Sequence, residues 1–152
     1  MNNNIKCNVN VEIGVFEDGK LKEVIKEHNI VVTLGKTLIC DLLNGTSGVT
    51  GLNYFALGIG ATTEALADTT LDTEVYRDTF TQTTVTSNNI NIKYFLSSSD
   101  ANGNELTEAA LFGDNATGAT DSGTLFARVT HSGITKTSSV AVTYSWDITF
   151  TT

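Results

Sequence analysis

The sequence has no proline and no long apolar run. No hydrophobic stretch approaches the roughly 20 residues that a membrane-spanning helix needs, which argues against a helical membrane protein. Residues 1–6 show neither the basic nor the apolar region of a cleaved export signal, so we expect none. With 152 residues and 40% hydrophobic content, the chain is long enough to bury the core of one soluble domain.

Positive charge is also scarce. Nine Lys and Arg residues stand against 17 Asp and Glu residues, which gives a formal net charge of −8, and the cations are scattered along the chain. An acidic surface repels phosphate backbones and anionic lipid headgroups. We therefore expect neither nucleic acid nor a membrane as a partner.

Cysteine and histidine are too few for a metal centre. Cys7 and Cys40 both lie in apolar patterns, and without an export signal we interpret them as small buried thiols rather than a disulfide or a metal pair. His28 and His131 do not complete a zinc site with two such distant cysteines. We expect no metal and no cofactor.

The known binding and catalytic motifs are incomplete. Gly58 and Gly60 lack the third glycine and the helix of a dinucleotide fingerprint, and Gly35-Lys36-Thr37 lacks the glycine-rich lead of a P-loop. The turn at residues 97–105 matches a calcium loop only in part, and ordinary turn chemistry explains its residues. Four carboxylates could suggest a metal, but their spacing is irregular and we expect a solvated connection: Glu64, Asp68, Asp72 and Glu74.

The clearest positive signal is the stretch from Val140 to Phe150. Large apolar residues alternate there with small or polar ones, which is the period of a β-strand with one buried face. The centre of the predicted core consists of Trp146, Tyr144, Ile148 and Phe150. Frequent threonine elsewhere also favours strands.

Other patterns complete a mainly β fold. Alternation from Cys7 to Val15, an Asp18-Gly19 turn and a return strand indicate a hairpin, and a Thr-rich strand at residues 80–87 is expected near an edge or a subunit contact. One helix is predicted at residues 34–43, with Thr33 as N-cap, an apolar stripe on the sheet and Asn44-Gly45 as its stop. Residues 61–75 are expected to be irregular, and residues 131–133 are expected to form a turn.

The prediction is an antiparallel β-sandwich of about eight strands, with a flexible arm at residues 1–5 and one domain at residues 6–152.

Two charged residues fall within apolar strands. Glu108 lies in the strand at residues 106–112 and Arg128 in the strand at residues 125–129, so neighbouring strands would let the two side chains form a buried ion pair inside the sheet. General acid-base catalysis by Glu108 would need a second acid or base nearby, and the sequence indicates none. We therefore expect no catalytic residue and no enzyme activity.

A series of short blocks runs along nearly the whole chain. A strand with Gly58-Ile-Gly60 precedes an Asp-Thr-x-Leu-x-x-Glu-x-x-Arg block from Asp68 to Arg77. The other blocks are His28-Asn-Ile-Val-Val, 35–43, 102–112, 125–128, 134–136 and 146–150. In this order the blocks resemble those of small bacteriophage structural proteins. The resemblance implies a virion component: a head decoration protein or the base of a head or tail fibre.

The expected function follows from that resemblance. The chain would decorate or stabilise the capsid exterior, assembled in the host cytoplasm, as a trimer or dimer that also binds a major capsid or tail protein. Its contacts would come from strand edges, the arm at residues 1–5 and the loops at residues 45–51 and 113–123. The alternatives are a tail-fibre or baseplate component and a receptor- or glycan-binding module, although neither loop offers an aromatic ring to stack on a sugar.

Overall fold

The computed structural model describes residues 4–152, which form ten β-strands and one α-helix. In chain order these are β1 (Lys6–Glu17), β2 (Lys20–His28), β3 (Ile30–Val31), α1 (Thr33–Asn44), β4 (Leu52–Gly58), β5 (Glu74–Thr79), β6 (Gln82–Thr86), β7 (Asn89–Leu96), β8 (Glu105–Gly113), β9 (Thr124–Thr135) and β10 (Val140–Thr151). The predicted arm at residues 1–5 lies mostly outside the described residues, and its division from a single domain stays a prediction. No helix among residues 4–152 is both long and apolar enough to span a membrane.

The strands form two antiparallel five-stranded sheets. Sheet A has the order β2-β1-β10-β7-β6, and sheet B has the order β3-β9-β8-β4-β5. The inner faces of both sheets supply one shared core. The mainly β fold, the two antiparallel sheets and the single helix are confirmed, with ten strands in the described part of the chain rather than about eight.

Strand β10 lies at the centre of sheet A. It pairs with β1 along its whole length, from Lys6↔Thr151 to Glu17↔Val140, and with β7 on its other side. Trp146 and Tyr144 are fully buried on its inner face, where the Tyr144 ring contacts the Phe55 ring of sheet B. Ile148 is 1% exposed and Phe150, near the strand end, is half-buried.

Sheet B is buried on both faces. Its outer face carries a second apolar cluster, formed by Val32, Ala56, Leu71, Ala110, Phe112, Ala116 and Leu125. Leu71 belongs to the crossing segment, residues 59–73, and Ala116 belongs to the β8–β9 loop. These two irregular segments therefore act as a third layer over sheet B.

The helix differs from its prediction at its N-terminus and at the end of its apolar stripe. Val32 occupies the N-cap without a side-chain cap hydrogen bond, and Thr33 belongs to the helix, where its backbone N–H donates to Leu66 O at 2.9 Å. Tertiary contact thus replaces the predicted Thr33 cap. Gly35 lies against the Phe126 backbone, where a Cβ would overlap the carbonyl oxygen, so the helix needs glycine there. Gly45 ends the helix in the left-handed conformation, as predicted, with φ 65°. The last residue of the predicted apolar stripe, Leu43, does not pack on the sheet, since it is 84% exposed.

Three further predictions were wrong. Residues 131–133 do not end a strand: β9 continues through them as a bulge, since Thr130 pairs with Glu108 and Ile134 with Leu106. The end of the segment expected to be irregular forms β5, which pairs with β4. Cys40 is exposed on the helix surface rather than buried.

Candidate functional site

Arg128 and Glu108 meet on the outer face of sheet B, beneath the crossing segment. Arg128 Nε donates to Glu108 Oε2 at 3.0 Å, and both side chains are buried. The guanidinium also contacts Asp68 Oδ2 at 2.7 Å and Asp72 Oδ1 at 3.3 Å, and donates to Thr62 O at 3.0 Å. We call these five residues the arginine hub. Burial lowers the pKa of Arg128, but the hydrogen bonds that its guanidinium donates to Asp68 and Glu108 outweigh this effect, so the pKa is raised and the side chain stays charged.

The Glu108 carboxylate is saturated with donors. Besides Arg128 it accepts the backbone N–H groups of Gly60, Asp72 and Thr73 at 2.9, 3.1 and 3.0 Å. Each of these N–H groups lies in the crossing segment, which has no strand ladder of its own. The hub therefore fixes this segment on the sheet by supplying the hydrogen bonds that a regular element would have made internally.

The hub also explains the Gly-Ile-Gly sequence. A Cβ on Gly58 would overlap the Glu108 carboxylate and lie 2.6 Å from Thr73 O. A Cβ on Gly60 would overlap the Asp72 side chain and lie 2.5 Å from Glu108 Oε1. The two glycines thus allow backbone to approach a buried carboxylate, a role unrelated to a nucleotide.

A second buried pair fixes the β8–β9 loop. Arg77 and Glu74 form a bidentate ion pair, in which Arg77 Nε donates to Glu74 Oε1 at 2.7 Å and Arg77 Nη2 donates to Glu74 Oε2 at 2.8 Å. Arg77 also donates to Ser122 O at 2.9 Å, and its guanidinium lies 4.2 Å from the centroid of the Phe112 ring. The buried Arg77 guanidinium of β5 therefore holds the β8–β9 loop against sheet B.

The four acidic residues from Glu64 to Glu74 do not form the solvated connection that the sequence predicts. Asp68 and Asp72 bind Arg128, Glu74 binds Arg77, and Glu64 accepts from Thr130 Oγ1 at 2.6 Å. Hydrogen bonds from Thr62, together with Arg128, lower the pKa of Asp72 against a small effect of burial. No group of three or more His, Cys, Asp or Glu side chains in residues 4–152 is arranged to hold a metal ion.

Two further basic side chains, those of His131 and Lys136, are buried. His131 contacts Ser132 O through Nδ1 at 2.8 Å and the Tyr144 hydroxyl through Nε2 at 3.5 Å, and burial lowers the pKa of its ring. Lys136 donates to Asn102 Oδ1 at 2.9 Å, and loss of hydration lowers its pKa. The turn at residues 97–105 makes the local hydrogen bonds of ordinary turn chemistry, such as Asn102 Nδ2 to Ser98 O at 2.9 Å, and Lys136 adds a contact to it.

An apolar groove opens at one end of the sandwich, between α1 and the β6 side of sheet A. Its volume is about 390 Å³. It is lined by Leu38, Ile39, Leu42, Leu43, Gly51, Leu52, Phe80, Thr83, Val85, Ile90, Ile92, Phe126, Ile148 and Phe150. None of these residues is charged, and Thr83 alone among them has a polar side chain. Leu43 and Val85 on the rim are 84% and 68% exposed, so the groove continues into an exposed apolar surface.

The groove borders an uncharged hairpin, residues 79–92, which includes β6 and the start of β7. This stretch has no Asp, Glu, Lys or Arg, although the whole chain has 26 such residues. Strand β6 ends sheet A, and all five of its residues are exposed. The sequence predicted a Thr-rich edge here, but the groove combines residues from seven separate segments and has no local signal.

The site therefore has two parts: a buried polar framework that holds irregular segments in place, and an apolar, uncharged surface at one end of the sandwich. No family model matches the chain, and no curated protein or solved structure matches it with significant similarity.

Proposed function

We propose that this chain is a non-enzymatic structural protein of a bacteriophage virion, which decorates or stabilises the capsid exterior by self-association and by binding to the capsid lattice. The observation that carries the proposal is the apolar groove beside the uncharged hairpin. Covering this surface with another protein is favourable even for an acidic chain, because apolar area is removed from water and no like charges are brought together.

The buried framework supports a structural role for the sequence blocks. Within the Asp68-to-Arg77 block, Asp68 binds Arg128, Leu71 packs on the outer face of sheet B, and Glu74 binds Arg77. These side chains are occupied in holding the third layer on sheet B. A general acid or base needs a titratable group within reach of a substrate, whereas Glu108 is fully buried beneath the crossing segment.

Charge supports an outer position on a particle. A chain with a net charge of −8 is repelled by packaged DNA, while many identical weak contacts on a lattice add up through multivalency. Tail-fibre or baseplate membership and receptor or glycan binding use the same kind of exposed surface, so they are the outcomes that compete with capsid decoration.

The experiment is quantitative mass spectrometry of purified particles that carry this gene. We expect peptides of this chain at a copy number comparable to that of the major capsid protein. A copy number of only a few per particle would assign the chain to the tail, and absence from the particles would refute the proposal. Binding of the purified protein on a glycan array would favour the receptor-binding alternative.

A further inference from the structure

The four edge strands of the two sheets differ in how they are protected. Strand β2 carries Lys20, Lys22, Glu23, Lys26 and Glu27, and its pairing with β1 is interrupted by a register shift. Strand β3 has only two residues, and β5 is charged and has a register shift against β4. Charges, bulges and short length are the usual devices that prevent a sheet edge from pairing with another chain.

Strand β6 has none of these devices. Its sequence, Gln-Thr-Thr-Val-Thr, contains no charge and no proline, and it pairs with β7 without a register shift. Its outer backbone edge has no partner strand among residues 4–152. Of the four edges in the described chain, β6 is the one that remains suited to pairing.

Electrostatics favours a copy of the same chain at this edge. Two molecules with a net charge of −8 repel each other over most approaches, but the uncharged hairpin brings no formal charge to the contact. Because β6 is uncharged along its length, an antiparallel copy meets no like-charge pair across the strands.

We propose that a second copy pairs antiparallel with β6, so that the two A sheets become one continuous ten-stranded sheet across a two-fold axis at Thr84. This register pairs all five residues of β6 with all five of the other copy, and it places Val85 opposite Thr83. The inference rests on the proposed function, since it names the self-association surface of that structural protein.

The apolar groove supports the same arrangement. Thr83 and Val85 point towards the groove, and directly opposed residues of antiparallel strands lie on the same face of a sheet. In the pair, Val85 of each copy therefore lies beside Thr83 of the other, and the two grooves adjoin across the axis. Val85 loses its exposure to water, and the rim residue Leu43 faces a smaller opening.

The first test measures the mass of the full chain by sedimentation from micromolar to millimolar concentration. We expect wild type to move from the 16.2 kDa of one chain to twice that mass. Val85→Lys places two cations near the axis and should raise the concentration of half-dimerisation at least about tenfold. Val24→Lys makes the same change at an exposed valine on the protected β2 edge and should leave that concentration unchanged. Circular dichroism checks that both variants fold.

The second test measures the register by disulfide cross-linking. Directly opposed Cα atoms are about 4.5–5.5 Å apart, within the range of about 4.4–6.8 Å that a disulfide spans. In a background with Cys7→Ser and Cys40→Ser, Thr84→Cys should give a covalent dimer under mild oxidation. Thr86→Cys should not, since its copy lies four residues away along the pair.

Three results would overturn the inference: a wild-type chain that stays monomeric throughout, dissociation by Val24→Lys but not by Val85→Lys, or cross-linking through Thr86→Cys but not Thr84→Cys. A monomer found with an apolar small molecule in native mass spectrometry would likewise assign the groove to a ligand. The proposed function is judged separately, by the presence of the chain in purified particles. A monomer that still occurs in particles would refute the β6 interface alone.

Discussion

Replacing Arg128 by methionine removes the cation that joins the crossing segment to sheet B. The Arg128 side chain is 1% exposed and the Glu108 side chain is fully buried, so the variant leaves a desolvated carboxylate without a counter-charge. Removing one partner of a buried pair typically costs about 3–5 kcal/mol. Glu108 keeps three backbone donors, and Asp68 and Asp72 are partly exposed, so we expect the lower end, about 3 kcal/mol. That is a large part of the roughly 5–15 kcal/mol that stabilises a typical domain.

The assay is urea unfolding followed by the fluorescence of Trp146, which is the sole tryptophan and is fully buried. With a slope of about 1–3 kcal/mol per molar urea, the midpoint should fall by roughly 1–3 M. The control is Lys26→Met, which breaks an exposed pair with Glu12 at 3.5 Å and should cost less than about 1 kcal/mol. A midpoint for Arg128→Met that matches this control would refute the structural role of the arginine hub.

Three further predictions follow from single groups. Burial lowers the pKa of His131, so below about pH 6.5 the unfolded chain binds more protons than the folded chain, and the free energy of unfolding should fall as the pH drops from 7 towards 5. The fall should be at most about 1.4 kcal/mol per pH unit. Urea unfolding of His131→Gln should show a flatter dependence on pH, and an unchanged dependence would contradict this prediction. Gly60→Ala should destabilise by at least about 1 kcal/mol in the same assay, whereas Gly118→Ala, which has open space around it, should be near neutral. Cys40 should react with a thiol reagent faster than Cys7, whose pKa burial raises, and equal rates would contradict the described exposures.

The elements with strong local periodicity could be predicted from the sequence. The alternation of β10 identified its buried face, because every second residue from Val140 to Ile148 is large and apolar, and all five are buried in the structure. The Asp18-Gly19 turn and the Gly45 helix stop depend on local backbone chemistry, and both occur as predicted. Threonine content likewise indicated the exposed edge strand β6.

The third layer could not be predicted, because its conformation depends on distant contacts. The pairing of Glu108 with Arg128 followed from their placement in neighbouring strands, but Asp68 and Asp72 lie in a segment without periodicity. Asp72 is positioned by its own backbone N–H, which donates to Glu108, and Asp68 by its ion pair with Arg128. The same limit applies to the apolar groove, whose residues come together only when both sheets and the helix are in place.

The most direct test of the account is an electron-microscopy map of the intact particle at a resolution that shows strands. The account predicts many copies of this sandwich on the capsid exterior, with neighbouring copies joined at β6 and the Arg128 side of sheet B occupied by the crossing segment. A map in which no density on the capsid fits the sandwich would contradict the central claim that the chain is a structural protein of the capsid surface.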